Sequence, residues 1–295
     1  MTITTIAVGR RPPTSQTYDR LRSTLRADGC VLVRDLIDED ALARVQDELA
    51  ARMPQPTDWA TLRGSDLGGP LHEIRCALLA TKSAVEVFRD PVLLELMGGL
   101  LETPTPYLHP RRWLRVSPHS GNVHRPVGLH QDYPFVQGTA DVLTTWVPLH
   151  RCTDEGIVVF PGSHRRGVLP PESLRSLATD RSPVTIAVSP GDVVIMHSLL
   201  VHGAAPNASG LNRISMDGRY QRPDEPLMAE QLRPGGVRQG LRAIALSEDP
   251  DPRVWSGDPS CQPPAGLPII ADEDPLPPMR SRFVPDVVSG AAHAD

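Results

Sequence analysis

Lysine is nearly missing from this chain: Lys82 is the only one, and every other basic residue is arginine. Such a skew fits a GC-rich genome and carries no function by itself. Positive charge is also outweighed, with 30 Lys and Arg against 35 Asp and Glu, so the net charge of −5 lacks the basic footprint of a nucleic-acid binder. The four cysteines (Cys30, Cys76, Cys152, Cys261) form no CxxC pair, which argues against zinc or redox motifs and predicts reduced thiols in a cytoplasmic protein. No apolar run approaches the roughly 18–20 residues of a membrane span. Met1 to Pro13 has no apolar core of the signal-peptide kind. Aromatics make up 4% of the chain and prolines number 32, which points away from a helical bundle and toward loops and turns. At 295 residues with 40% hydrophobic content, a sizeable core is within reach, and no internal repeat or domain boundary is visible.

What is present begins with helices. Residues 1–13 read as a loose tail. Tyr18, Leu21 and Leu25 recur at helical spacing until the Asp28-Gly29 turn signal, and Cys30 to Val33 is a short apolar strand. Asp38-Glu39-Asp40 offers an N-cap and first-turn acids to a helix carrying Leu42, Val45 and Leu49. Further helices are predicted over 71–80 and 91–101, the latter with Pro91 in its first turn. From residue 107 the pattern changes to short strands, near 112–116, 126–131, 142–149, 156–160, 183–188, 192–196, 199–202 and 212–221. Helices first and strands later predict a mainly β jelly-roll with flanking helices rather than a doubly wound α/β sheet. The expectation is one domain over 1–295: a mainly helical support over 15–105, a core over 106–221, and a Pro-rich loop region over 222–295.

The chemistry concentrates around Leu129-His130-Gln131-Asp132-Tyr133-Pro134. In an extended segment His130 and Asp132, two apart, project from one face. Seventy residues on, His202 offers a third ligand, and two His plus one carboxylate on one octahedral face is the arrangement of non-haem Fe(II) oxygenases. His197, five residues earlier, competes for that role; Gly203 and the Ala-Ala-Pro-Asn loop that follows favour His202. Arg213 can grip a carboxylate through its planar, permanently charged fork, and Ser215 shares its strand face.

The run from Leu129 to His164 resembles the phytanoyl-CoA dioxygenase family of Fe(II)- and 2-oxoglutarate-dependent oxygenases. The likeness is carried by His130-Gln131-Asp132, Thr145-Trp146-Val147-Pro148-Leu149, Gly156 and Phe160-Pro161-Gly162-Ser163-His164. It continues through Gly191-Asp192, His202, Asn207, Arg213 and Ser215, and the opening helix–Asp28-Gly29–strand–helix pattern is similar too. The resemblance implies a double-stranded β-helix and makes His130, Asp132 and His202 the metal and catalytic residues. It places Arg213 and Ser215 on the distal carboxylate of 2-oxoglutarate, with Trp146, Gln131 and Arg115 lining or reaching that pocket. His164 and Gly191-Asp192 read as turns that shape the barrel.

The cofactors so implied are Fe(II), 2-oxoglutarate and O2, with succinate and CO2 released as a small-molecule C–H bond is oxidised. Halogenating relatives carry Gly or Ala at the position of Asp132, so hydroxylation is preferred here, with desaturation or ring formation beside it. The expected partner is a small molecule of secondary metabolism, with no nucleic acid or membrane, in a monomer or homodimer. Two other readings remain: a hydrolase or isomerase using the same three ligands with another metal, and a silent jelly-roll that only binds. Arg111-Arg112 and Arg165-Arg166 read as surface pairs available to a CoA substrate.

Overall fold

The computed structural model describes residues 3–52, 81–117, 128–180, 182–207, 213–232, 263–271 and 273–284. Four helices come early: α1 (Ser15–Asp28), α2 (Glu39–Arg52), α3 (Lys82–Phe88) and α4 (Pro91–Leu101). Their starts are set by short polar side chains. Thr14 Oγ1 accepts from Thr17 N at 3.2 Å, Asp38 Oδ1 from Asp40 N at 2.9 Å, and Asp90 Oδ1 from Val92 N at 2.9 Å. The first helix ends at Gly29 with φ 77°, where a Cβ would also lie 2.5 Å from His164 Nδ1, so no other residue fits. The predicted helix over 71–80 lies outside the described residues.

A seven-stranded sheet runs β1 (Thr5–Ala7), β2 (Cys30–Arg34), β8 (Val193–His197), β5 (Leu143–Pro148), β10 (Arg213–Gln221) and β3 (Tyr107–Leu108), with β4 (Trp113–Ser117) also on β10. A second sheet has the order β7 (Val184–Val188), β6 (Cys152–Val159), β9 (His202–Ala204). The inner strands β2 and β8 are buried on both faces, which is why Cys30 to Val33 and Val193 to Met196 read as continuous apolar runs. Val31, Val33, Val193, Ile195, Leu143, Val147, Met216 and Tyr220 pack with the helices, including Leu21, Leu25, Leu42, Leu93 and Leu96. The alternate residues Cys30, Leu32, Val194, Met196 and Trp146 turn inward and meet Ile157, Val159, Ile186 and Val188 of the small sheet. Two facing sheets with helices on one outer surface form the expected jelly-roll. No helix among the described residues is long and apolar enough to cross a membrane.

Several expectations need correction. The stretch 1–13 is not a loose tail throughout: β1 adds parallel to β2, with Ile6 as its buried residue. The 15–105 region is more than an outside support, because β2 sits within the large sheet between β1 and β8. In place of a strand over 126–131, the described part makes one bridge, His130 to His202, since Tyr133-Pro134 turns the chain at once into a short helix, α5 (Tyr133–Val136). The strand expected over 199–202 starts at His202 instead, after a turn in which Leu200 N bonds His197 O at 2.9 Å. The C-terminal region is also partly built. There, β11 (Leu227–Met228) pairs with β12 (Ile269–Ile270), and Phe283 and Val284 are buried in the helix-side core.

A buried acid fastens that C-terminal segment. Asp141 accepts from Ser281 Oγ at 2.6 Å, from Arg282 N at 3.0 Å and from Arg282 Nε at 2.7 Å. Burial opposes its charge, yet hydrogen bonds from His197, Ser281 and Arg282 hold Asp141 below the usual carboxylate range.

Candidate metal centre

The backbone pairing His130 N to His202 O (2.9 Å) and His202 N to His130 O (3.0 Å) brings the two histidines side by side, ring centroids 4.3 Å apart. Asp132 does not reach them by the pleat of a strand. Its backbone is helical (φ −73°, ψ −32°) at the start of α5, and this turn swings the carboxylate back toward the rings. His130 Nε2 lies 3.9 Å from Asp132 Oδ1. Among the described residues, His130, Asp132 and His202 form a group whose ligand atoms all lie within 4.8 Å of one another.

The protonation states suit a cation. His130 Nδ1 faces Gly128 O at 2.8 Å and His202 Nδ1 faces Leu200 O at 3.0 Å. Each Nδ1 therefore carries the hydrogen, which leaves each Nε2 lone pair for a metal. Burial, with His202 beside it, pushes His130 down to about 3, so its imidazole is neutral at physiological pH. Burial works against ionised Asp132, but the Arg219 guanidinium outweighs it and holds the carboxyl well below its usual range. Two imidazoles whose Nδ1 atoms face backbone carbonyls and one ionised carboxylate are the donor set that the two-His-one-carboxylate metal site requires, so the residues fit the metal.

A pocket opens from this trio into the barrel, lined by Trp146, Ile157, Met196, Arg213, Ser215 and Asp217 among others. The nine-residue β10 explains its far wall. Alternation points Arg213, Ser215, Asp217 and Arg219 to the inner face, while Met216 and Tyr220 enter the helix-side core. Arg213 Nη1 donates to Gly156 O at 3.0 Å and Ala205 O at 3.2 Å, which fixes the guanidinium in the wall of the pocket that the histidines also line. Arg115, opposite Ser215 on β4, also lines the pocket, and its Nε donates to Asp217.

One expected pocket residue is elsewhere. Gln131 is buried, and its amide is committed to backbone: Nε2 donates to Gly167 O (2.8 Å) and Leu199 O (2.6 Å), and Oε1 accepts from Leu169 N (2.7 Å). It staples the loop behind the ligands and has no amide group left for a co-substrate. His197 is likewise structural, buried with Nε2 at 3.2 Å from Ser281 Oγ and Nδ1 accepting from Leu199 N at 3.2 Å. His164 sits with Nε2 at 3.1 Å from Arg26 O, and Asp192 accepts from Ser189 N at 2.7 Å, both as turn supports. The pair Arg111-Arg112 is not a surface pair; both are buried, whereas Arg165 and Arg166 are exposed. Sequence reading missed Asp217, Arg219 and Thr144. The two-residue period of β10 carried the signal for the first two, because it continues past Ser215.

Fold and site together define a class: a jelly-roll with a pocket lined by two histidines, which a carboxylate joins within 4.8 Å, and by a buried arginine. The family model of phytanoyl-CoA dioxygenase (PhyH) matches residues 25–215, and the chain belongs to that family. It is 27% identical over 160 residues to 1-deoxypentalenic acid 11-beta-hydroxylase of Streptomyces exfoliatus, covering 46% of this chain and 56% of that enzyme. The chain thus spans about half the length of that relative. A probable phytanoyl-CoA dioxygenase of Caenorhabditis elegans is 22% identical over 231 residues, 67% of this chain and 73% of the relative. Among solved structures, apo EctD from S. alaskensis superimposes with a TM-score of 0.59 at 22% identity, covering 83% of this chain and 91% of that one. The epimerase SnoN in complex with Fe3+, alpha ketoglutarate and nogalamycin RO gives a TM-score of 0.59 at 20% identity, covering 81% and 92%. These structural likenesses establish the shared fold.

Proposed function

We propose that this protein is a non-haem Fe(II)- and 2-oxoglutarate-dependent oxygenase that hydroxylates an unactivated C–H bond of a small molecule, releasing succinate and CO2. The observation that carries the reading is the convergence of His130, Asp132 and His202 within 4.8 Å at the end of a pocket that also holds Arg213 and Ser215. His130, Asp132 and His202 would hold the iron. When bound, iron with 2-oxoglutarate and O2 supplies the oxidising power, and the protein's share is binding, orientation and electrostatics.

The side chains divide that share. His130 and His202 present their Nε2 atoms because their Nδ1 atoms are tied to backbone carbonyls. Arg213, with Ser215 beside it, would take the distal carboxylate of 2-oxoglutarate through a charge-assisted pair in a water-poor pocket. Trp146, Ile157 and Met196 form apolar walls of the pocket. Arg115 reaches the pocket, but its bond to Asp217 gives it a wall-building role rather than a grip on the co-substrate.

The preference for hydroxylation rests on the carboxylate ligand Asp132 and on the likeness to 1-deoxypentalenic acid 11-beta-hydroxylase. Epimerisation and ring closure are the nearest variants, since structural neighbours include an epimerase and a carbocyclase from nogalamycin biosynthesis. A secondary metabolite is the proposed substrate class, in a cytoplasmic setting. The test is coupled turnover: with Fe(II), 2-oxoglutarate, O2, ascorbate and a library of hydrocarbon-rich metabolites, succinate release should rise in step with a product 16 Da heavier. A product 2 Da lighter, or isobaric with its substrate, would replace hydroxylation by desaturation, ring closure or epimerisation. Succinate release that never exceeds a metal-free control would contradict the oxygenase reading.

A further inference from the structure

Asp132 opens α5, yet its carboxylate makes no capping bond there. It turns to the large sheet instead, where each oxygen meets a different donor. Arg219 Nη2 donates to Oδ1 at 2.9 Å and Thr144 Oγ1 donates to Oδ2 at 2.6 Å. The two donors are cross-strand partners: Arg219 on β10 stands directly opposite Thr144 on β5. All three side chains are buried, with Asp132 and Thr144 each 2% exposed and Arg219 6%. Arg219 also lies beyond residues 25–215, the stretch that the family model covers.

We propose that Arg219 and Thr144 form a cross-strand clamp that holds Asp132 in its metal-binding orientation, as positioning residues for the site proposed above. The physical case is that a helix-initiating Asp would otherwise satisfy backbone N–H groups of its own helix. A buried carboxylate must be paired, and a buried hydrogen-bonded ion pair on one oxygen with a hydroxyl on the other selects one rotamer. A carboxylate offers about four lone-pair sites, so two remain for a cation after both donors are served. The inner-face alternation of β10 thereby gives one strand two tasks six residues apart, Arg213 for the co-substrate end and Arg219 for the metal end.

The inference rests on the metal reading, and Co(II) titration of the purified full chain separates the two. Wild-type protein should bind Co(II) in a 1:1 complex with visible ligand-field bands; no binding by wild type overturns both readings. Thr144→Val removes one donor with little change in shape, and Arg219→Met removes the other. Each should weaken Co(II) binding about 10- to 100-fold and shift the ligand-field bands, as loss of a partner that orients a ligand does. The double variant should lose less than the product of the two, because both donors act on one carboxylate. Arg219→Lys, which keeps a charged donor without the planar fork, should recover part of the affinity. If the folded variants bind Co(II) as tightly as wild type with unchanged bands, and differ only in melting temperature, the clamp is merely structural and the proposal fails. Should Arg219→Met not fold, the Thr144→Val result decides alone by the same criterion.

Discussion

Replacing His202 by alanine is expected to abolish tight metal binding and turnover, whereas His197→Ala keeps both. The two histidines are five residues apart and both buried, but their nitrogens have different work. His202 Nδ1 faces Leu200 O, and its ring stands 4.3 Å from that of His130, inside the trio with Asp132. His197 has both nitrogens engaged, with Ser281 and Leu199 N, and its ring packs 5.6 Å from Phe283. Removing one of three protein ligands should cost more than the roughly 10- to 100-fold typical of an outer partner, hence at least about 100-fold in metal affinity. His197→Ala should lower the melting temperature instead, since it opens a hole where the C-terminal segment docks. Isothermal titration with Co(II) and a thermal melt on each variant distinguish the outcomes.

Arg213→Ala should leave the metal affinity near wild type and weaken 2-oxoglutarate binding by about 30- to 5,000-fold. The range follows from the roughly 2–5 kcal/mol lost when one partner of a buried, hydrogen-bonded charge pair is truncated. The large end is favoured by burial: Arg213 is 5% exposed, so water does not readily replace it. Arg213→Lys keeps the charge but not the fork, and should fall between the two. Arg213 also donates to Gly156 O and Ala205 O, so the alanine variant carries a structural cost that the lysine variant reduces. The measurement is the dependence of succinate release on 2-oxoglutarate concentration, read beside Co(II) affinity. A KM unchanged in both variants would place the co-substrate elsewhere.

Much of the fold was legible because its strands obey local rules. Val193 to Met196 alternate between two apolar environments, so the run reads as a strand whichever face is inspected. The helix over Pro91–Leu101 announces itself through Asp90, Pro91 and a leucine-rich face. Failures came where long-range pairing decides. Thr5–Ala7 holds one buried residue and becomes a strand only because β2 is there to receive it. At the site, His130 and Asp132 were found through their spacing, but the reason offered was wrong. Tyr133-Pro134 forces a helical turn, and convergence comes from that turn and the His130–His202 bridge. Gln131 misled for a related reason: sitting between two ligands in sequence says nothing of direction, and its amide points to the backbone of the loop behind. The period of β10 put Arg219 on the inner face, but its pairing with Asp132, 87 residues away, and that of Thr144, 12 residues away, were not legible.

The most direct test of the central claim is an anaerobic titration of 2-oxoglutarate into the Fe(II)-loaded protein, followed by visible absorption. Chelation by the keto-acid end at a site with three protein ligands should give a weak charge-transfer band that saturates at one equivalent. That band should be absent in His202→Ala and should need far more 2-oxoglutarate in Arg213→Ala. Folded wild-type protein that carries one equivalent of iron and shows no band at saturating 2-oxoglutarate would contradict the account.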